Sequence, residues 1–501
     1  MMIQPAARSH ESAWTRRTSR RAAALLVVTA YALIARLWRL GQAPDTLNTD
    51  ELVALRLVAS ILRGHGPGPL ALDENGQPAL GGYIQALSMR AFGDSAWALR
   101  LPAALLGALA VPLFYLVARR LTRPWPALGA SALFAASVYN LSLARSGWIN
   151  DYALPAELIA IWAILEASRR RQTALLCASA LACAAAGYGY APFRLLPVGF
   201  VALLLSNGLS PCRLPLSSSV SPFRRTFKDI VRVGRWRPAL TWIGAYLLGS
   251  LPLWASLVLQ HTAVAHYIAQ HRINSGLPEY PSSMPMALIL ALQVWKVVVG
   301  LVLLVPGTAS GLDLQHVPPG SWLLDGPCTL LYWLGLWSLA GRGAGAGGAL
   351  PRSGDNPAPG MYVHETCSGI GAASPRSGDD GRRTPSLGAL WWWVLMIPLL
   401  LAEAPVRDSP ALHPAVAAFP LYLLVAARGL AYLSGWLGHY RGMLVLLVLW
   451  SALTGVGSYA AWVNSPAATQ ARHKEGVGAC YPDRHLLARS QPCRDQRAPK
   501  R

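Results

Sequence analysis

Long apolar runs separated by short basic turns are the feature of this sequence that most constrains its fold. Runs long enough to cross a bilayer as helices recur from residue 22 to residue 463. Their apolar residues form continuous blocks rather than amphipathic stripes. The chain of 501 residues is 53% hydrophobic and only 13% charged, which excludes an ordinary soluble protein. The sequence therefore predicts an all-α fold, a polytopic transmembrane protein with about 11 spans.

The basic residues indicate a membrane rather than a nucleic acid as the partner. The net charge is +21, but the Lys and Arg residues cluster in short turns between apolar runs, which is typical of cytoplasmic loops near anionic lipid headgroups. No basic groove with interleaved aromatic residues occurs, so nucleic-acid binding is not expected. Seven Cys without a CxxC pair argue against zinc or redox chemistry. Cys177 and Cys183 lie within an apolar run and are interpreted as packing residues.

The distribution of Lys and Arg predicts the topology. The five Arg of the basic tail at 1–21 place it in the cytoplasm, and the run at 22–40 lacks a small-residue cleavage site, so it is expected to be retained as a helix. The predicted divisions are the tail at 1–21, a transmembrane core at 22–340, a disordered cytoplasmic insert at 341–386 that repeats the sequence PRSGD, C-terminal transmembrane helices at 387–463 and a short extracytoplasmic tail at 464–501. The outer loops of the core are predicted at 41–100, 144–151 and 260–326.

The predicted spans follow from the apolar runs. They lie near 22–40, 102–118, 125–143, 152–167, a helical hairpin at 172–207, 239–259, 327–340, 387–404, 415–433 and 442–463. Residues 286–305 are apolar too, but Lys296 falls in the middle, and counting them as a span would place the Arg-containing insert outside. We therefore expect a membrane-surface or re-entrant helix there. Cys480 and Cys493 in the outer tail could form a disulfide.

The stretch APDTLNTDE at 43–51 directly follows the first span and places two adjacent acids, Asp50 and Glu51, at the outer face. The apolar run after it predicts that both acids begin a helix. Asn48 and Glu51 have the spacing of a capping box, and carboxylates in a first turn are favoured by the helix dipole. Capping explains both acids without any catalysis. If one is catalytic, Asp50 is the better candidate, because the cap occupies Glu51.

On this topology, acids and cations from distant loops meet on one side of the bilayer. The outer face would hold these acids and cations together with one tyrosine: Asp50, Glu51, Asp73, Glu74, Arg100, Arg145, Asp151, Tyr188, Arg194, Arg407 and His413.

Several stretches, taken in order along the chain, resemble the GT-C superfamily of polyprenyl-phosphate-sugar-dependent glycosyltransferases. ARLWRL precedes the acidic pair, GQPALGGYIQAL and FGDSAWALRLPAALLGALAVPLFYLVARRL follow, and then come LARSGWIND, GYGYAPFRLLPV and AFPLYLLVAARGLAYL. Within the superfamily, the sequence is most similar to bacterial relatives of protein O-mannosyltransferases and of the aminoarabinose transferase that modifies lipid A. Two departures are Pro78-Ala79 where the family has Pro-Pro, and a C-terminal tail too short for a sizeable outer domain.

The resemblance implies transfer of a sugar, a hexose such as mannose or an aminopentose, from a polyprenyl phosphate to a lipid or protein acceptor. The reaction would take place at the extracytoplasmic face of the cell membrane. It implies Asp50 as the general base and Asp151 as a second acid that orients the acceptor or a metal, with Glu51 beside them. The donor phosphate would be bound by Arg194 with Tyr188 and Tyr190, and Arg145 and Arg100 are further substrate-binding candidates. Asp73 and Glu74 could hold a divalent metal ion.

Other interpretations stay open from the sequence alone. Asp73 and Glu74 also fit a solvated turn, and Arg194 also fits an Arg that extends to the membrane interface. His65 and His413 are interpreted as ordinary loop residues. The alternative function is a lipid or solute transporter or flippase, which would be expected to show charges within its spans and paired broken helices. In this sequence nearly all the acids fall in predicted loops.

Overall fold

The structure is a computed structural model. It describes residues 6–43, 47–72, 77–147, 152–205, 236–262, 265, 284–299, 324–340, 394, 398, 417–437 and 441–465. Within these ranges the regular elements are helical, and the only strand-like pairing is an isolated antiparallel bridge between Leu72 and Pro78. The predicted all-α fold is therefore confirmed for the part of the chain that the structure describes. The predicted insert at 341–386 and the tail at 466–501, with Cys480 and Cys493, lie outside the described residues.

The first half of the chain forms nine α-helices among the described residues. They are α1 Ala6–Leu37, α2 Thr49–Leu62, α3 Leu80–Phe92, α4 Ala96–Leu121, α5 Pro124–Ala136, α6 Val138–Arg145, α7 Ala153–Arg170, α8 Thr173–Gly189 and α9 Leu196–Leu205, with a 3₁₀ helix at Ala191–Leu195. The second half contributes α10 Trp236–Leu259, α11 Met286–Val297, α12 Gly326–Ala340, α13 Phe419–Trp436 and α14 Arg441–Val463.

Three of the described helices are long and apolar enough to cross a membrane: Ala96–Leu121, Trp236–Leu259 and Gly442–Val463. The pair α5 and α6 adds a fourth if it is counted as one bent span. Helix α11, in the predicted membrane-surface or re-entrant segment, has 12 residues, or about 18 Å. The predicted span at 387–404 falls almost wholly outside the described residues. The bounds of the described helices thus lie near those of most of the predicted apolar runs. The number of spans stays a prediction.

The predicted span at 125–143 is not one straight helix. It breaks at Ser137, whose ψ of 126° leaves the helical region, and α5 and α6 meet at a bend of 51°. A break frees backbone carbonyl groups, and the Asn140 side chain donates a hydrogen bond to one of them, the Phe134 carbonyl oxygen, at 3.1 Å. Gly455 of α14 passes close by, because a Cβ there would lie 2.5 Å from the Ala136 carbonyl oxygen.

The interval at 41–100, predicted as an outer loop with a helix after the acidic pair, contains that helix and a second one, and both contribute to a small core. Helices α2 and α3 pack against each other and against the start of α4. The core that they share consists of Leu47, Leu55, Val58, Ala86, Met89, Ala98 and Leu99. We call α2, α3 and the first turn of α4 the α2–α3 subdomain. It directly follows the first predicted span.

The main core surrounds α4, which packs against α1, α5, α6 and α7, while α7, α8 and α10 form an adjacent layer. Helices α12 and α13 approach most closely at two glycines. A Cβ at Gly335 would lie 2.0 Å from the Val425 carbonyl oxygen, and one at Gly429 would lie 1.9 Å from the Leu331 carbonyl oxygen. Small residues at a crossing let helices pack closely in lipid. Outward-facing residues such as Leu248 and Leu251 of α10 are 72% and 62% exposed, as expected of a surface that meets lipid.

Candidate functional site

The start of α2 is held by the capping box that the sequence predicts. The Asn48 Oδ1 atom accepts a hydrogen bond from the Glu51 backbone N–H at 2.8 Å, and the Glu51 carboxylate accepts one from the Asn48 N–H at 2.9 Å. Both residues are buried, Asn48 with 2% and Glu51 with 0% of its surface exposed. This prediction is confirmed, and the cap fixes the first turn of α2 in which Asp50 lies.

Glu51 also forms a fully buried ion pair with Arg100 of α4. The Arg100 Nε donates to Glu51 Oε1 at 2.6 Å and a terminal nitrogen donates to Oε2 at 3.1 Å, while the other terminal nitrogen donates to the Leu40 carbonyl oxygen at 3.1 Å. Two parallel charge-assisted bonds give both strength and a fixed geometry. Neither side chain is exposed. The pair therefore joins the end of the first predicted span, α2 and α4 at one point.

The second predicted outer loop lies directly on this ion pair. Gly147 has a φ of +62°, and a Cβ there would lie 3.2 Å both from Glu51 Oε1 and from Arg100 Cγ. The Gly147 carbonyl oxygen accepts a hydrogen bond from the Gln85 side-chain nitrogen of α3 at 2.6 Å. Only glycine combines this backbone conformation with so close an approach. The described parts of the two predicted outer loops are thus in direct contact through Gly147.

Arg145, predicted to bind substrate, caps the end of α1. Its terminal nitrogens donate to the carbonyl oxygens of Ala35, Arg36, Trp38 and Ala43 at 2.6–2.9 Å. The residue is 2% exposed, and its guanidinium lies 5.7 Å from the ring centre of Tyr459 on α14. Carbonyl groups at a helix C-terminus lack intrahelical partners and favour a cation. Arg145 and Arg100 therefore both bind protein groups in this structure, and their contact with substrate stays a prediction.

Asp50 lies in the first turn of α2 and is partly exposed, in contrast to its neighbour. Adjacent residues on a helix diverge by about 100°, so the Asp50 side chain leaves α2 in a different direction from the buried Glu51. Asp151, Asp73 and Glu74 lie outside the described residues.

Arg194 connects the helical hairpin to the first outer loop. It is half-buried in the 3₁₀ helix, where its Nε donates to the Gly187 carbonyl oxygen at 3.1 Å and a terminal nitrogen donates to Gln77 Oε1 at 3.0 Å. Gln77 is 3% exposed and stands just before Pro78, which forms the bridge to Leu72. A predicted phosphate ligand thus contacts the residue that follows the predicted acidic turn at 73–76 in the sequence.

The two tyrosines predicted beside Arg194 differ in their surroundings. The Tyr188 hydroxyl donates to the Gly249 carbonyl oxygen at 3.0 Å and accepts from the Leu253 N–H at 3.3 Å, so it joins α8 to α10. Tyr190 is half-buried and packs against the main core. The structure assigns Tyr188 a role in helix packing, and a contact of either tyrosine with substrate stays a prediction.

The described residues contain no group of three or more His, Cys, Asp and Glu side chains that could hold a metal ion. Because Asp73, Glu74 and Asp151 are not among them, the predicted divalent site is untested. Cys177, Cys183 and Cys328 are free, and Cys183 and Cys328 are buried, as the packing interpretation of Cys183 requires.

Sequence reasoning missed the two glutamines that join these segments. Gln77 binds Arg194, and Gln85 binds both Gly147 and the Leu99 carbonyl oxygen. Gln85 shares the buried face of α3 with Gly81, Gly82, Ala86 and Met89. A polar side chain on an otherwise apolar helix face was the signal that could have identified it.

Comparison with known proteins supports the resemblance to the GT-C superfamily. Residues 76–216 match the family model described as dolichyl-phosphate-mannose-protein mannosyltransferase. Undecaprenyl phosphate-alpha-4-amino-4-deoxy-L-arabinose arabinosyl transferases from Pseudomonas paraeruginosa (strain DSM 24068 / PA7) and Pseudomonas aeruginosa (strain PAO1) are 33% identical over 155 residues. Each alignment covers 29% of this chain and 27% of the relative, so the similarity spans about a quarter of the length of these curated relatives.

Solved structures of membrane transferases are also similar at low sequence identity. ArnT from Cupriavidus metallidurans, bound to undecaprenyl phosphate, has a TM-score of 0.48 at 13% identity and matches 93% of this chain and 78% of its own. The oligosaccharyltransferase AglB from Archaeoglobus fulgidus, in complex with an inhibitory peptide and a dolichol-phosphate, has a TM-score of 0.48 at 12% identity, with coverage of 90% and 56%. The S. cerevisiae Pmt1-Pmt2 complex has a TM-score of 0.35 at 19% identity, with coverage of 48% and 34%.

Proposed function

We propose that this chain is a membrane glycosyltransferase that moves a sugar from a polyprenyl-phosphate donor to an acceptor at the extracytoplasmic face. The observation that carries the proposal is the match of residues 76–216 to a family of lipid-phosphate-sugar-dependent transferases. The matched segment contains Arg100, Arg145 and Arg194, three of the cations that organise the outer end of the structure. It also contains Gln85 and Gly147, which join the two outer loops.

The proposed reaction is transfer of the sugar by nucleophilic substitution at its anomeric carbon. The acceptor hydroxyl or amine attacks that carbon, the bond from the carbon to the phosphate oxygen breaks, and the polyprenyl phosphate leaves with the bonding electrons. Asp50 would take the proton from the acceptor, and Asp151 would orient the acceptor. The support for Asp50 is its partly exposed position beside a buried, fixed cap, since a general base needs both access and a defined direction.

Arg194 is the proposed ligand of the donor phosphate. Its support is a half-buried guanidinium at the hairpin turn that is held in place by Gly187 and Gln77. A fixed cation loses little freedom on binding a phosphate, and guanidinium groups bind phosphates well. Tyr188 and Tyr190 would line this site, and a divalent ion held by Asp73 and Glu74 is part of the same proposal.

The proposed topology is that predicted from the basic residues, with about 11 spans and the site on the outer face of the cell membrane. It places 208–238 and 341–386 in the cytoplasm and 41–100 and 144–151 outside. Labelling of single cysteines on intact cells with a membrane-impermeant reagent tests this topology. Reaction at position 360 without reaction at position 76 would refute it.

The experiment that tests the function is transfer by the purified protein with a panel of radiolabelled polyprenyl-phosphate sugars. We expect transfer from at least one donor, and Asp50→Asn should reduce its rate by about 10²–10⁴-fold, because the amide cannot accept the proton. Donor binding and thermal stability of Asp50→Asn should match the wild type. Full activity of Asp50→Asn would exclude it as the base, and movement of the lipid without sugar transfer would favour the flippase alternative.

A further inference from the structure

Two packed helices of the main core end in arginines at the end of the bundle that lies opposite the candidate site. Helix α4 ends with Arg119 and Arg120, and α7, which packs against it, ends with Arg169 and Arg170. We call these four residues the α4–α7 arginine cluster. Arg100 of the candidate site precedes Arg120 on α4 by about 30 Å, which is roughly the thickness of the hydrocarbon core of a bilayer. The cluster is therefore separate from the candidate site.

One buried acid holds the α4–α7 arginine cluster together. The Glu166 carboxylate, near the end of α7, forms an ion pair with Arg120 of α4 at 2.9 Å and another with Arg170 of its own helix. The charges of Arg119, Arg169 and Arg170 all act on the Arg120 guanidinium. Arg119 and Arg169 are exposed and form no ion pair with the residues that the structure describes. The fold thus keeps several like charges close together around a single counter-charge.

The charge of the cluster exceeds what the surrounding protein balances. Four positive arginines less the one negative charge of Glu166 leave +3. The C-termini of α4 and α7 also favour cations, and each helix end supplies about −0.5 of an elementary charge. The two helix ends therefore account for about one charge, and about +2 remains. Arg123 and Arg171, which follow within two residues of the helix ends, add to this excess.

An exposed apolar surface leads along α4 to these arginines. Leu105, Leu109 and Leu116 are 45%, 49% and 40% exposed, and their spacing of four and seven residues places them on one face of the helix. Arg119 and Arg120 lie one turn further on, three and four residues after Leu116. A soluble polyanion would use only the charges. A ligand with hydrocarbon chains and an anionic head would use both surfaces.

We propose that the α4–α7 arginine cluster binds the headgroup of an anionic phospholipid that carries two phosphate groups, with its acyl chains along the exposed leucines of α4. Two singly charged phosphates match the excess of about +2, and basic pockets between transmembrane helices bind such headgroups. Guanidinium groups suit this ligand because they bind phosphate oxygens through two parallel hydrogen bonds. Trp125 is exposed at the start of α5, and Trp is enriched at the depth of lipid headgroups. These features indicate a membrane lipid rather than a free polyphosphate.

The experiment measures binding of cardiolipin, a phospholipid with two phosphate groups, to the full chain in detergent by native mass spectrometry. Phosphatidylglycerol at the same total phosphate and inorganic pyrophosphate are the comparison ligands. We expect the wild type to bind cardiolipin most tightly, whether or not it transfers a sugar. Equal or tighter binding of phosphatidylglycerol would overturn the assignment of a headgroup with two phosphates. Displacement of cardiolipin by equimolar pyrophosphate would overturn the role of the apolar surface.

The variant Arg119→Gln/Arg169→Gln tests the cluster, because it removes two exposed charges and leaves both ion pairs of Glu166 in place. Each Arg near an anionic lipid surface contributes about fivefold in affinity, so this variant should bind cardiolipin roughly twenty-five-fold more weakly. The matched control is Arg20→Gln/Arg237→Gln, which removes two exposed arginines of α1 and α10 at the same predicted membrane face and should bind like the wild type.

The comparison of the two double variants decides the proposal. An equal loss of cardiolipin binding in both, or wild-type binding by Arg119→Gln/Arg169→Gln, would overturn it. If that variant does not fold, the single variants Arg119→Gln and Arg169→Gln replace it, each with about fivefold weaker binding expected. Wild-type binding by both single variants would then overturn the proposal.

Discussion

Replacement of Glu51 by Gln tests the buried Glu51–Arg100 ion pair, which joins α2, α4 and the end of the first predicted span. The Glu51 carboxylate accepts bonds from the Arg100 Nε at 2.6 Å, from a terminal nitrogen of Arg100 at 3.1 Å and from the Asn48 N–H at 2.9 Å. A Gln can still accept from Asn48 through one oxygen. Its amide nitrogen, however, would face an N–H group of Arg100 and could not accept from it.

The expected loss follows from this change. At least one charge-assisted bond, worth about 1.5–3 kcal/mol, disappears. The Arg100 guanidinium, 0% exposed, loses the charge of its Glu51 partner, and breaking one partner of a buried pair costs about 3–5 kcal/mol. We therefore expect Glu51→Gln to lose about 3–5 kcal/mol of stability, and with it the activity. Loss of the capping hydrogen bond alone would lower the stability far less.

The assay is thermal unfolding in detergent of Glu51→Gln, Arg100→Met and the double variant. Glu51→Gln should lower the unfolding midpoint clearly, and the double variant should recover part of the loss because it also removes the buried charge that Glu51 balanced. Asp50→Asn, which changes the neighbouring acid, is the control and should melt like the wild type. An unchanged midpoint in Glu51→Gln, or additive losses in the double variant, would refute the role given to the ion pair.

Two further predictions concern the donor site and the helix core. Arg194→Ala should raise the donor KM by roughly tenfold to a hundredfold, since a charge-assisted contact is worth about 1.5–3 kcal/mol; an unchanged donor KM in the transfer assay would contradict phosphate binding. Gly335→Ala should destabilise the protein by about 1–3 kcal/mol in thermal unfolding, because its Cβ would overlap the Val425 carbonyl oxygen. Gly244→Ala on α10 is the control, since a Cβ there meets nothing within 4 Å, and an equal effect of both would refute the close crossing.

Local features of this structure were predictable from sequence, while contacts between distant segments were not. The capping box at Asn48 and Glu51 follows from spacing within one turn, and it was predicted correctly. The pairing of Glu51 with Arg100 joins residues 49 positions apart, and no local pattern encodes it. For this reason Arg100 and Arg145 were interpreted only as substrate ligands, although the structure gives both a set of protein partners.

Apolar patterning located most helices but not their shapes. Hydropathy summed over a window predicts one span at 125–143. The backbone, however, breaks at Ser137, where no Pro or Gly marks the site. Within the predicted outer loop at 41–100, only the helix after the acidic pair was predicted. Helices α2 and α3 nevertheless bury a shared core of seven residues together with Leu47 and the start of α4. The role of Gln85 was not predicted because its partner, Gly147, belongs to a loop 62 residues later in the chain.

The hydrogen bonds of Arg145 have a consequence for the assembly of the protein in the membrane. The carbonyl groups at the end of α1 receive their donors from a residue more than 100 positions later in the chain. If the first helix inserts as predicted, its last carbonyl groups stay open to water during synthesis until residue 145 has emerged. A nascent chain stalled before that residue should expose the end of α1 to proteases, and one stalled after it should not.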